Sequence, residues 1–229
     1  MSESARAREG VILLHGLGRS ALAMWPLARR LRRAGYVVVN QGYPSRRHSI
    51  GRLAHDYVGD AFERMADKPV SRIHVVTHSM GGILLRYWLQ HHQPENLGRI
   101  VMLAPPNQGS ELVDYIRRIP LFEKIMGPAS VQLGTDQHGV PRQLPPLQAE
   151  VGVITGTRNA SPWLNRVFGG QHDGKVSVRS ARLPEMTDFR VMEVGHTFIM
   201  VNRNVTEEIQ HFLAHGSFST ADQAWSQQQ

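Results

Sequence analysis

Ser79 stands in the run Thr77-His78-Ser79-Met80-Gly81-Gly82, where apolar β-branched residues give way to a helical pattern. A serine hydroxyl becomes a useful nucleophile only when a base takes its proton and fixed donors receive the charge of the tetrahedral intermediate. A sharp strand-to-helix turn supplies part of this. It lifts the hydroxyl above the strand end and sets the N–H of the next residue, Met80, at a helix N-terminus. The turn needs small residues two positions to either side of the serine. Gly81 meets that need on the helix side, whereas Thr77 occupies the strand side, where glycine is usual. A competing reading of the same residues is a polar turn whose serine merely caps the helix.

A second donor for the oxyanion should come from a glycine-bearing turn after a neighbouring strand. His15-Gly16-Leu17-Gly18 follows the apolar run Val11–Leu14, and the Leu17 N–H is the expected donor; alone, this turn would read as an ordinary connection. A base and its acid are needed as well, and the chain offers candidates. Asp173, in Asp173-Gly174-Lys175-Val176, follows the strand-like run Val151–Thr155, and His196 follows Phe189–Val194. His196 would accept the Ser79 proton and Asp173 would fix its tautomer. Rivals exist, since the chain has 12 histidines and Asp-Gly is a common turn dipeptide. His172 adjoins the acid and precedes the last strand, while Glu185, Asp188 and Glu193 sit at or inside that strand.

These residues need a scaffold that gathers strand ends. Apolar runs and helical patterns alternate along the chain, as in a parallel sheet of βα units. Strands are expected at Val11–Leu14, Tyr36–Asn40, Arg72–Thr77, Arg99–Ala104, Val151–Thr155 and Phe189–Val194. The clearest helix spans Ser49 to Ala66, with Ile50, Leu53, Ala54, Tyr57, Val58, Ala61, Phe62 and Met65 at helical spacing and Pro69 beyond it. Further helices are expected from Ser20 or Pro26 to before Gly35, with Leu27 and Leu31 inward, from Ser79 to about His92, and from about Asn204 to Ala214. The alternation breaks between residues 107 and 150, where helix-like sequence (Glu111–Arg118) precedes a Pro- and Gly-rich stretch. That excursion would sit beyond the fourth strand, on the side where open α/β sheets bind ligands; a lid, an acyl-binding wall and a plain surface excursion all fit it. The expected domain spans residues 1–216, with a disordered tail over 217–229.

Taken together, the H-G-x-G turn and the x-H-S-M-G-G elbow resemble the α/β-hydrolase superfamily, especially its small bacterial lipases and esterases. The resemblance runs from about Val11 to the helix ending near Ala214. It implies a single-domain fold with about six mostly parallel strands, helices on both faces, and the first two strands of larger members missing. It also implies the chain order serine, acid, histidine, which Ser79, Asp173 and His196 follow. Asn107-Gln108-Gly109-Ser110, after Ala104-Pro105-Pro106, resembles a family segment that shapes the pocket wall. Leu17, Met80 and Trp25 could offer apolar surface to an acyl chain, with a core role expected for Trp25. The activity implied is hydrolysis of a small-molecule or lipid-like ester through an acyl-enzyme. The same triad also suits a thioester, an amide or an acyl acceptor other than water, and a non-catalytic ligand-binding homologue is the remaining alternative.

Composition narrows the field further. With 229 residues, 41% hydrophobic and 20% charged, a globular core is expected. The absence of cysteine excludes disulfides, a thiol nucleophile and cysteine metal sites. No cofactor is implied and no metal site is expected: His91-His92 and His211…His215 have zinc-like spacing but no converging partner. The net charge of +7 is expected to lie on solvated arginine-rich faces, since no nucleic-acid module accompanies it. No apolar stretch approaches a membrane span or a signal-peptide core, so a cytoplasmic location is expected. Oligomeric state is not legible.

Overall fold

The computed structural model describes residues 8–159 and 162–220. Six parallel strands form one sheet in the order β2-β1-β3-β4-β5-β6. They are β1 (Gly10–Leu14), β2 (Val37–Gln41), β3 (Ile73–His78), β4 (Leu97–Leu103), β5 (Val151–Gly156) and β6 (Asp188–Met192). The order reverses between β1 and β3, so the crevice at the C-terminal ends of these strands is where such a sheet offers a binding site. Every expected strand is present, displaced by one or two residues at its ends.

The alternation of side chains along the strands builds two cores. Ile12 and Leu14 face a layer made by α2 (Ile50–Leu53), α3 (Gly59–Ala66) and α4 (Met80–Leu89). Val11 and Leu13 face the other layer, made by α1 (Trp25–Arg33) and the last helix, α11 (Arg203–His215). Val205, Ile209 and Phe212 of α11 are fully buried, each stabilising the fold by about 1.5–3 kcal/mol through area removed from water. Asn202 caps that helix through Val205 N–H at 3.1 Å, and Gly216 ends it in the left-handed conformation at φ 79°.

Four sequence expectations need correction. The run from Ser49 to Ala66 is not one uniform α-helix: a π-helical turn at Ala54–Val58 joins α2 to α3. The apolar spacing survives, because Leu53, Ala54, Val58, Ala61 and Phe62 all stay buried through the wider turn. The helix after Ser79 stops at Leu89 rather than His92. Trp25 is not a core residue. Its ring is 51% exposed, with the Arg29 guanidinium above it at 5.7 Å. Ser217–Thr220, at the start of the expected disordered tail, is docked. Phe218 is buried against Phe212, and Ser219 donates its backbone N–H and its hydroxyl to Glu208. The remainder of that tail, residues 221–229, lies outside the described residues.

The excursion at 107–150 carries four short helices, α5 (Glu111–Ile116), α6 (Phe122–Met126), α7 (Pro128–Val131) and α8 (Val140–Gln143). α5 falls in the stretch read as helix-like, and the shortness of the other three explains why no helical period was readable after it. Beyond β5 lie α9 (Asn165–Phe168) and α10 (Val178–Ala181). Among the described residues, no helix is long and apolar enough to cross a membrane.

Candidate active site

β3 ends at His78, and Ser79 takes φ 53°, ψ −124° before α4 begins. A positive φ at a non-glycine residue is costly and persists only where the surroundings enforce it. Here the enforcement is close packing. A Cβ on Gly81 would lie 2.7 Å from the Leu14 carbonyl oxygen and 2.8 Å from that of His15, so only glycine lets α4 approach β1. Thr77 is fully buried, and the strand side of the elbow accommodates it. Ser79 makes no side-chain capping hydrogen bond to α4, which removes the capping explanation for its presence.

The β1 turn lies directly against this elbow. A Cβ on Gly16 would meet the Ser79 Cβ at 3.1 Å and His78 Nδ1 at 3.0 Å. Gly18 donates its N–H to Ser45 Oγ and Arg19 to the Gly16 carbonyl, while the Leu17 N–H makes no hydrogen bond among the described residues. The Met80 N–H is the first of α4, where a helix leaves its donors unsatisfied.

His15 orients the turn, a part that sequence reasoning passed over although the H-G pair was in view. Its Nδ1–H donates to the Gly16 carbonyl at 2.9 Å. That carbonyl and the Leu17 N–H belong to one rigid peptide plane, so fixing the oxygen fixes the direction of the hydrogen. The imidazole stacks on Tyr43 at 3.8 Å, its Nε2 accepts the Tyr43 N–H at 3.3 Å, and the Tyr43 hydroxyl donates to the His15 carbonyl. Burial lowers the His15 pKa to about 4, outweighing its bond to Gly16, which acts in the opposite direction. The ring is therefore neutral at pH 7.

Asp173 and His196 are brought together by side chain and backbone alike. His196 Nδ1–H donates to Asp173 Oδ2 at 2.8 Å, and the His196 N–H donates to the Asp173 carbonyl at 3.1 Å. The other carboxylate oxygen accepts the N–H groups of Lys175 at 3.0 Å and Val176 at 2.9 Å. Gly174, at φ 99°, makes that turn possible. Both side chains are buried. Neither Ser79 Oγ nor His196 Nε2 has a hydrogen-bond partner among the described residues, so the structure joins His196 to Asp173 but makes no hydrogen bond between Ser79 and His196.

The rivals are occupied elsewhere. His172 stacks on Phe168, bonds Asn165 through Nε2 and accepts the Gly174 N–H at Nδ1. Glu185 accepts the Leu147 N–H, Asp188 accepts the Phe189 and Phe218 N–H groups, and Glu193 is exposed.

His78 is a second residue missed from sequence. It donates from Nε2 to the His196 carbonyl at 3.0 Å, and the two rings lie 4.9 Å apart. Burial, then the neighbouring His196 charge, push its pKa well below the usual imidazole value, so it holds the loop as a neutral donor. Arg86, also missed, is a buried cation on α4. It donates to the carbonyls of Asn107 at 3.0 Å and Leu144 at 3.2 Å, tying both ends of the excursion to the helix behind the elbow. Burial lowers its pKa to about 10. The Asn107–Ser110 segment is fastened to the acid turn, since Ser110 Oγ donates to the Lys175 carbonyl and Gln108 N–H to that of Ser180.

A sharp elbow, two turns and an Asp–His pair at the C-terminal edge of a parallel sheet define the class, and the chain belongs to the alpha/beta hydrolase family, whose profile it matches over residues 11–224. No curated protein matches the chain at the level of sequence. Solved structures share the fold. A Bacillus licheniformis lipase, BlEst2, in its mature form is 18% identical with TM-score 0.70, the match covering 91% of this chain and 93% of that one. The metagenomic carboxyl esterase MGS0156 is 16% identical with TM-score 0.63, covering 84% and 65%. Phospholipase PlaB from Legionella pneumophila is 21% identical with TM-score 0.57, covering 75% and 45%.

Proposed function

We propose that this protein is a serine hydrolase that cleaves carboxylic esters through an acyl-enzyme on Ser79. The observation that carries the reading is the buried 2.8 Å contact between His196 Nδ1 and Asp173 Oδ2, beside an elbow whose serine is held at positive φ without capping its helix. In this mechanism His196 Nε2 takes the Ser79 proton as Oγ adds to the ester carbonyl carbon. The Leu17 and Met80 N–H groups receive the oxyanion, each worth a factor of about 10²–10³ in rate by comparison with other hydrolases. As the carbonyl re-forms, the ester C–O bond breaks and His196 gives its proton to the departing alkoxide. Water then repeats the sequence on the acyl-enzyme and releases the acid. Asp173 keeps Nδ1 protonated throughout.

Support for a lipid-like or otherwise apolar substrate comes from the exposed side chains Tyr115, Ile119, Leu121 and Ile125 on the excursion and Phe198 just after His196. Wild type and Ser79→Ala should be compared on 4-nitrophenyl esters of rising chain length, with acyl-CoA alongside. Esterase activity in wild type, lost in Ser79→Ala, is expected. Turnover of acyl-CoA with no ester hydrolysis would move the assignment to thioester chemistry, and equal rates in both proteins would contradict the reading.

A further inference from the structure

Four large apolar side chains, Tyr115, Ile119, Leu121 and Ile125, stand in solvent on α5, α6 and the turn between them, each more than half exposed. A chain that merely connects β4 to β5 gains nothing from them, because apolar surface left in water contributes no stability. One of them also strains the backbone. Leu121 takes φ 71° at the head of α6, a left-handed conformation that glycine or asparagine adopts more easily than a bulky L-residue. Its side chain gains no burial in return.

The frame beneath these side chains is braced. Asp114 accepts the Thr135 N–H at 3.1 Å and the Thr135 hydroxyl at 2.5 Å, and Arg117 pairs with Asp136. A Cβ on Gly127 would fall on the Arg46 carbonyl, so the corner between α6 and α7 rests on the Arg46 backbone. Gln132, just beyond α7, accepts the Ile50 N–H at 2.7 Å. At the other end Ser177 Oγ donates to Glu111 Oε1 at 2.7 Å and Ser110 Oγ to the Lys175 carbonyl at 3.0 Å, which ties α5 to the turn that carries Asp173. The charge around the apolar group is mostly positive. Arg118 and Lys124 adjoin Ile119 and Ile125 in the chain, and Arg46 and Arg47 are exposed where the α6–α7 corner rests. None of these four has a carboxylate within salt-bridge distance among the described residues. The acids of the frame, Asp114 and Asp136, are taken up by Thr135 and Arg117, which leaves Glu123 as the exposed acid of α6.

Exposed apolar groups bordered by cations complement a bilayer surface, which offers anionic headgroups over an apolar interior. A second copy of this chain fits less well, because a two-fold contact would bring these cations against their own kind. We propose that the α5–α6 segment seats this protein on anionic phospholipid bilayers, with Leu121 and Ile125 entering the headgroup layer and Arg118, Lys124, Arg46 and Arg47 meeting the phosphates. The surface is independent of whether Ser79 is a nucleophile.

Flotation with vesicles of phosphatidylcholine, with and without phosphatidylglycerol, reads binding apart from catalysis. Wild type should float with the anionic vesicles, far less with phosphatidylcholine alone, and come off as salt is raised. Leu121→Asn/Ile125→Gln should lower the partition coefficient by about a hundredfold, and Arg118→Gln/Lys124→Gln by about tenfold or more. Arg118→Lys/Lys124→Arg should bind nearly as wild type does. Asparagine suits the left-handed corner, so the apolar variant should keep its fold, which circular dichroism checks. The chain has no cysteine, so Leu121→Cys and Glu95→Cys can each carry one environment-sensitive fluorophore. Glu95 is exposed before β4, at the end of that strand opposite the excursion. On anionic vesicles the label at 121 should shift to the blue and the label at 95 should not. Failure of wild type to bind anionic vesicles, or equal shifts at both positions, would overturn the proposal. So would a concentration-dependent dimer in which the 121 label shifts without vesicles, which would assign the surface to a second copy of this chain.

Discussion

His78 Nε2 holds the backbone carbonyl of His196 at 3.0 Å, so the residue before the proposed nucleophile fixes the loop that carries the proposed base. Without that bond the 196 loop keeps its link to Asp173 but loses its link to the elbow. His78→Ala should lower kcat by about 10²-fold, the scale expected when catalytic groups drift by about 1 Å. His78→Gln, which retains a donor, should recover part of the loss. Steady-state kinetics on a soluble ester, with circular dichroism to check the fold, would decide it; full activity in His78→Ala would remove the positioning role.

Asp173→Asn separates structure from chemistry. The amide oxygen can still accept the Lys175 and Val176 N–H groups, now made by Oδ1. Its NH2 group would then oppose His196 Nδ1–H and favour the wrong tautomer. By analogy with a serine protease, kcat should drop by about 10⁴-fold while Tm changes little. A large drop in Tm at equal loss of activity would show the aspartate to be chiefly a fold residue.

Acid should destabilise the protein before its carboxylates are protonated. His15 is lowered to about 4 and His78 well below the usual 6.5, both first through burial. Below pH 6.5 the unfolded chain binds protons at these positions that the native state refuses. Stability is therefore full above about 6.5 and declines as pH falls, through about 4 for His15. Thermal melts should show Tm nearly flat from pH 8 to 7 and falling from pH 6.5 to 4.5. A Tm that rises over that lower range would contradict neutral buried imidazoles.

Gly81→Ala should cost both stability and activity. The added methyl would fall under 3.0 Å from the carbonyl oxygens of Leu14 and His15, forcing α4 away from the sheet at an expected cost of about 1–3 kcal/mol or more. Gly18→Ala is a useful contrast, because its Cβ meets nothing within 4 Å and its cost is confined to the backbone strain of an L-residue at φ 67°, about 1–2 kcal/mol. Urea denaturation of the two variants should rank Gly81→Ala as the less stable, and the reverse order would put the close approach at the elbow in doubt.

The parallel sheet was legible because its strands are short runs such as Ile73–Val76, bounded by helical periods, and because buried parallel strands need no alternation to be recognised. The candidate site was legible for a related reason. In this fold the functional groups follow strand ends in chain order, so Ser79, Asp173 and His196 could be proposed by position as well as by type. What stayed hidden depends on contacts between distant segments. Nothing local tells that His15 will stack on Tyr43 or that His78 will reach His196, 118 positions away. Trp25 was misplaced because a large ring reads as core by type, whereas its place on the helix, two residues or about 200° from Leu27, turns it away from the buried stripe of Leu27 and Leu31. The π turn at Ala54–Val58 escaped notice because an inserted residue leaves the order of apolar positions unchanged.

The central claim is that Ser79 is a nucleophile activated by His196. Its most direct measurement is intact-protein and peptide mass spectrometry after exposure to a fluorophosphonate, in wild type, Ser79→Ala and His196→Ala. One adduct is expected, mapped to Ser79, absent in Ser79→Ala and formed orders of magnitude more slowly in His196→Ala. An unlabelled wild-type protein, or an adduct that persists in Ser79→Ala, would contradict it.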